Sequence, residues 1–480
     1  MNFIMPDFWP ALPELFLLGA ICFILLLDLL LGDAQRVVTY LLAQSALLVT
    51  LLLTLLVQPE GSVQTFSGMF VLDAMATVLK VAVYLATFLV FLYAKDYLRA
   101  RHMFNGEFYL LGLLGVLGMN VMVSAHSLLT VFLGLELLSL AMYAMVALQR
   151  QSLQASEAAM KYFVLGAMAT AMLLYGMSLL YGITGSLDLA QIRSSTGLIE
   201  SSPMLLSFAL VFIVIGVGFK LGAVPFHMWL PDVYHGAPTA VTLYLSSAPK
   251  LAAFAMLMRL LVDGLADLHA QWEGMLVLLT VLSLIAGNVI AIAQTNLKRM
   301  LAYSAISHVG FLLLGVLSGT PEGYASAMFY AIVYVLMGLG GFGMIVLLSR
   351  VGFEADAIED FKGLNARSPW FALMMLILMF SMAGVPPFLG FWSKLAVIQA
   401  ALDVGHVGLA VLAVIVSVVG AFYYLRVVKV MYFDKADDAA QALASPLDLR
   451  IVLSFNSLAV LALGLFPSAL LGLCLAALAA

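Results

Sequence analysis

Long apolar runs, separated by short polar or charged stretches, fill this sequence from end to end. A helix needs about 20 predominantly apolar residues to cross a bilayer. Fourteen runs suit that requirement, near 11–31, 37–57, 71–94, 107–125, 127–148, 158–183, 203–230, 239–262, 273–294, 299–317, 323–349, 368–401, 407–432 and 450–478. The joins near His126 and Lys298 are short enough that thirteen spans would also fit. Asp7 and Glu14, but no Lys or Arg, flank the start of the first run. It therefore reads as a retained span with an outward N-terminus, not as a cleaved signal.

Composition narrows the class. The chain has 480 residues, 64% of them hydrophobic and 10% charged, with a net charge of −5. Soluble domains carry about 25% charged residues. A soluble enzyme, a disordered chain and a basic nucleic-acid binder are excluded. The cysteines are Cys22 and Cys474, with no CxxC, and the seven histidines form no HExxH. No metal or cofactor site is expected within the chain. Gly338–Gly343 (GLGGFG) lies inside an apolar run and reads as close helix packing.

Charge placement gives a topology. Loops after odd-numbered spans hold fourteen Lys and Arg residues, whereas the opposite side holds only Arg193 and Arg259. Cytoplasmic loops are the basic ones. The reading is a multi-pass membrane protein with both termini on the outer side.

Five basic residues remain inside spans, all lysines: Lys80, Lys161, Lys220, Lys250 and Lys394. A charge at mid-membrane costs roughly 2.5–3.5 kcal/mol on insertion scales. Lys80 and Lys161 sit nearer span ends, where snorkelling or local pairing also accounts for them; Glu157 is four residues from Lys161. Glu136 is the sole charge between Leu128 and Leu148, and reads as an ion partner for a buried lysine. Asp28, Asp73 and Glu157 lie closer to span ends and are weaker candidates. Burial disfavours a charged amine and a carboxylate nearby favours it, so moving the carboxylate switches a lysine between holding and releasing a proton. Arginine cannot do this.

Two lysine-bearing spans contain prolines. Lys220 precedes Pro225 in GVGFKLGAVPFHMWLPDVYHGAP, and Lys394 follows Pro387 in SMAGVPPFLGFWSKL. Proline breaks helical hydrogen bonding, and discontinuous helices at membrane depth mark transporter ion sites. AVPFHMWLP resembles GVPPFLGFW, and ASEAAMKYFVLGAM loosely resembles ASAMFYAIVYVLMG, about 160–170 residues later. The fold predicted is an all-α polytopic membrane protein of about 14 helices, with inverted five-helix repeats in helices 4–8 and 9–13 and discontinuous helices 7 and 12. Its segments are 1–105 (three helices), 106–265 (first repeat), 270–433 (second repeat) and 434–480 (loop and helix 14). Lys250 after Pro249, His308 near Ser304 and Ser307, His227, Tyr303, Tyr330 and Tyr334 are further polar candidates.

The stretch KLGAVPFHMWLPDVYHGAPTAVTLYLSSAPK, Lys220 to Lys250, resembles the signature of the antiporter-like membrane subunits of respiratory complex I. NLKRMLAYSAISHVGF, from Asn296, resembles the matching region of the second repeat. The length, the lysine at 394 and the end after span fourteen are most similar to one subunit type of that family. The resemblance implies a proton-translocating, non-redox subunit of an NADH:quinone oxidoreductase. It carries over proton-transfer roles to Glu136, Lys161, Lys220, Lys250, His308 and Lys394. It places NADH, FMN, iron–sulfur clusters and quinone on partner subunits, and makes the chain part of a hetero-oligomer of membrane-arm subunits in lipid. The alternatives are a multi-subunit cation/proton antiporter subunit, a membrane-bound hydrogenase subunit and a structural membrane scaffold.

Overall fold

A computed structural model describes residues 5–32, 35–195, 203–435 and 446–479; residues 436–445 of the expected C-terminal loop lie outside the described residues. Three helices come first: α1 (Leu12–Asp28), α2 (Arg36–Leu56) and α3 (Ala74–Ala100). Then follow α4 (Gly106–Val123), α5 (Leu128–Val146), α6 (Leu153–Thr184), the short α7 (Leu189–Ser195), α8 (Pro203–Leu221), α9 (Trp229–Gly236), α10 (Thr239–Leu245) and α11 (Ala248–Leu257). The remainder is α12 (His269–Ile292), α13 (Leu297–Leu317), α14 (Pro321–Leu348), α15 (Leu364–Arg367), α16 (Pro369–Ala383), α17 (Leu389–Asp403), α18 (Val407–Phe433), α19 (Leu447–Leu465) and α20 (Pro467–Ala479).

Among the described residues, thirteen helical stretches are long and apolar enough to cross a membrane. The span expected at 368–401 is divided between α16 and α17, each only 15 residues long. The two ambiguous joins are true helix boundaries because each carries an N-cap. Ser127 accepts from the Leu129 amide at the head of α5, and Asn296 from the Arg299 amide at the head of α13. In lipid, helices satisfy their own backbone groups, which is why so apolar a chain is almost entirely helical.

Four details depart from expectation. A small hairpin, β1 (Val63–Thr65) and β2 (Phe70–Leu72), follows α2. Span 8 is interrupted: α10 stops at Leu245, α11 starts at Ala248, and the helix ends in a π turn over Met258–Asp263. Pro249, which has no amide to donate, sits at the start of α11. Lys298 and Arg259, counted above as loop charges, are buried. Lys298 donates to the Ala237 carbonyl (2.7 Å), and Arg259 pairs with Asp73 and Asp263, both at 2.8 Å.

The core sits on α13 and α14, whose described side chains are almost all buried. α14 runs through the middle of the bundle against α3, α10, α13, α17 and α19. Its GLGGFG stretch packs directly on Leu378 and Tyr93, as expected for close helix approach.

Candidate functional site

Two helix breaks organise the polar interior. α8 ends at Leu221, Gly222 turns the chain at φ 84°, and α9 resumes at Trp229. α16 ends at Ala383, Gly384 turns it at φ 88°, and α17 resumes at Leu389. A helix end leaves carbonyls without amide partners, and in an apolar interior they must find other donors. A lysine supplies one at each break. Lys250 Nζ donates to the Leu221 carbonyl at 2.6 Å. Lys394 Nζ donates to the Ala383 carbonyl at 3.0 Å and to Ser417 Oγ at 2.9 Å. The acceptor is in both cases the residue immediately before the glycine.

The glycines are required there by both conformation and space. A Cβ on Gly384 would lie 2.9 Å from Lys394 Cδ. Gly384→Ala is expected to cost about 1–3 kcal/mol, the range for a non-glycine residue held in such backbone. Thermal inactivation of the assembled complex would show it. Gly408→Ala, whose Cβ would meet nothing within 4 Å, is the control that should be silent.

Lys220 lies in the last turn of α8 and donates to Ser139 Oγ at 2.6 Å; Ser139 in turn donates to the Leu135 carbonyl at 2.5 Å. Glu136 is three residues before Ser139 on α5, on a face where Leu129, Leu133 and Leu140 are exposed. No ion pair joins Glu136 to Lys220 among the described residues, so Ser139 is the direct partner of the lysine. Lys220 and Lys250 line one small cavity of about 20 Å³, together with Tyr162, Trp229, Leu245 and Ala253. That volume holds about one water, and the two ammonium groups supply polar partners for it.

His308 occupies the second half of the interior. Its Nδ1 is 2.6 Å from the Tyr330 hydroxyl and its Nε2 is 3.1 Å from the Tyr424 hydroxyl, which also bonds to Ser304. Neutral imidazole has one donor and one acceptor nitrogen, so the ring is saturated between the two tyrosines. Tyr334 packs on the imidazole with centroids 5.2 Å apart. Phe311, one turn along α13, stacks on Tyr330 and lies 5.0 Å beneath Lys394 Nζ. Among the described residues, no side-chain hydrogen bond connects Lys250 to the His308 cluster.

The remaining candidates separate from this row. Lys161 is 42% exposed and bridges Glu157 and Asp232, each at 2.8 Å. His227 lies in the break between α8 and α9, off the helical face of Lys220. Lys80 is fully buried and pairs with Glu14 at 2.6 Å. Sequence reading missed Ser139, Ser417 and Tyr424. Ser139 had a signal, its i+3 spacing from Glu136 on one helix face; the others are single polar residues whose partners come from distant helices.

Residues 125–420 match the family model described as NADH:quinone oxidoreductase/Mrp antiporter, transmembrane. The chain belongs to this family. A curated relative from Thioalkalivibrio sulfidiphilus, named NADH-quinone oxidoreductase subunit N, is 59% identical over 98% of both chains. One of the same name from Nitrosomonas europaea is 53% identical over 99% of both. Respiratory complex I from Thermus thermophilus contains a chain with 32% identity and a TM-score of 0.82, covering 96% of this chain and 98% of that one. The Mrp complex of Dietzia contains one with 22% identity and a TM-score of 0.84, covering 97% and 96%, a likeness of fold alone. Within the NADH:quinone oxidoreductase/Mrp antiporter family, the matched region holds both breaks and the row from Glu136 to Lys394. The Glu14–Lys80 pair lies outside it.

Proposed function

We propose that this chain is a proton-translocating membrane-arm subunit of an NADH-quinone oxidoreductase in the bacterial inner membrane. The observation that carries the proposal is the repeated break, with Lys250 on the Leu221 carbonyl and Lys394 on the Ala383 carbonyl. A lysine so placed stays in position whether protonated or neutral, because both forms can donate to the carbonyl. Each can therefore take up and release a proton without leaving its site, which arginine cannot.

In this reading a proton enters from the side of the basic loops and reaches Lys220, whose charge Glu136 tunes through the α5 face that also carries Ser139. It crosses the shared cavity to Lys250, passes by water to His308 and its tyrosines, and reaches Lys394 before release on the opposite side. Lys161 serves the entrance. The segments 106–265 and 270–433 are inverted copies that each supply one break. Both termini lie on the periplasmic side. NADH, FMN, iron–sulfur clusters and quinone sit on partner subunits, and this chain acts as the non-redox translocase part.

Glu136 also supports the hetero-oligomer. It sits at membrane depth on a partly exposed face beside Leu133 (54% exposed) and Leu140 (56% exposed). Lipid would be a costly neighbour for a carboxylate, so another membrane-arm subunit covers this face.

The test uses inside-out membrane vesicles carrying Lys220→Met, with assembly checked by copurification. NADH oxidation and NADH-driven acidification are both expected to fall severalfold. Unchanged NADH-linked rates with lost cation/proton exchange would make the chain an antiporter subunit instead.

A further inference from the structure

A second cavity, about 170 Å³, opens on the basic-loop face and is lined by Gln154, Glu157, Lys161, Asp232, His235 and Arg299. It is a charged vestibule large enough for several waters. It lies close to the small Lys220–Lys250 cavity, and the two are joined through consecutive residues. Lys161 faces the vestibule while Tyr162 lines the inner cavity; Asp232 faces the vestibule while Trp229, one turn earlier on α9, lines the inner cavity. The Tyr162 and Trp229 rings, both in the wall of the inner cavity, stack on each other with centroids 4.7 Å apart and planes 14° from parallel.

We infer that the Tyr162–Trp229 stack is the barrier between the vestibule and the Lys220–Lys250 cavity, and that the Lys161–Asp232–Arg299 cluster holds it closed. This rests on the proton-path reading above. Two flat apolar faces in contact leave no room for a water between them. The stack is fixed on each side. Trp229 Nε1 donates to the Phe219 carbonyl at 3.0 Å, which ties α9 to the end of α8. Tyr162 meets Tyr143 edge to face at 4.7 Å. On the vestibule side, Asp232 accepts from Lys161 and from Arg299, each at 2.8 Å, so one carboxylate on α9 is bound to both α6 and α13. Loss of those bonds would free α9 to swing and part the rings. The vestibule's acids and His235 would gather protons, and opening of the stack would admit a water-borne proton to Lys220.

The experiment measures access to the inner cavity directly. Cys22 and Cys474 are replaced by alanine, and Ala253→Cys places one thiol in the cavity lining. Inside-out vesicles are exposed to Ag⁺, a thiol reagent of about water size, and the thiols left unblocked on this chain are counted with a maleimide after denaturation. With the stack intact, blocking is expected to be slow. Trp229→Ala or Tyr162→Ala should speed it at least about tenfold, Asp232→Asn should speed it by less, and Trp229→Phe should stay slow because it keeps the ring face. Blocking as fast with the intact stack as at an exposed control cysteine, or no acceleration in either alanine variant copurifying with the complex, overturns the barrier. Access is scored separately from proton pumping. The barrier can thus fail while Lys220→Met still lowers acidification, and the proton-path reading can fail while the barrier stands.

Discussion

Methionine at position 250 is expected to lower NADH-linked acidification about a hundredfold in complexes that assemble, within the 10²–10⁴ that a positioned acid–base group contributes. Arginine there is expected to be as damaging. Methionine removes the proton and leaves the Leu221 carbonyl without the 2.6 Å donor. Arginine can still donate to that carbonyl and keep the charge, but it cannot release a proton. If Lys250 served only to cap the broken helix, arginine would restore much of what methionine removes. Acidification and NADH oxidation measured together in vesicles, for both variants, separate the roles. Arginine near wild-type rates would make Lys250 a structural cap and end the proton row at Lys220. The counterpart at Lys394 tests the symmetry, since that lysine has a second acceptor in Ser417 and keeps one contact if the Ala383 carbonyl moves.

The spans were legible because membrane insertion is a property of local composition, readable in windows of about 20 residues. The two breaks were legible because proline restricts the backbone and glycine admits the left-handed turn, whatever the tertiary context. The interruption of span 8 carried the same kind of signal in Pro249, yet the apolar run continued through it and the two serines before it looked unremarkable. Buried polar partners were less legible. Lys298 looked like a loop charge because it stands beside Arg299 at a span end, but α9 returns over it and offers the Ala237 carbonyl. Glu136 reads as an ion partner for a buried lysine from the rarity of charge in its span, whereas the direct hydrogen bond to Lys220 comes from Ser139, three residues along the same helix. Tyr424 reaches His308 across 116 residues of chain. Nothing local in sequence records such a contact, since it depends on how α18 packs on α13.

The same limit applies to Glu14, which reads as a flanking acid and is instead ion-paired with a fully buried lysine. Its carboxylate is 2.6 Å from Lys80 Nζ, with side-chain exposures of 8% and 0%. None of the three atoms has a hydrogen-bond partner besides the pair itself among the described residues. The Phe70 ring of the hairpin lies 4.9 Å from the ammonium. Lys80→Met therefore leaves a buried carboxylate without its ion partner between α1 and α3. Breaking a buried pair on one side costs about 3–5 kcal/mol, whereas replacing both members by apolar residues is often neutral or stabilising. The single variant is expected to lower sharply the temperature at which this chain leaves the detergent-solubilised complex, and Glu14→Leu combined with Lys80→Met is expected to recover most of that loss. A double variant as labile as the single one would mean that the unpaired charge is not the cause. A double variant of wild-type stability that no longer acidifies vesicles would move the pair from fastening α1 onto α3 into the transport path itself.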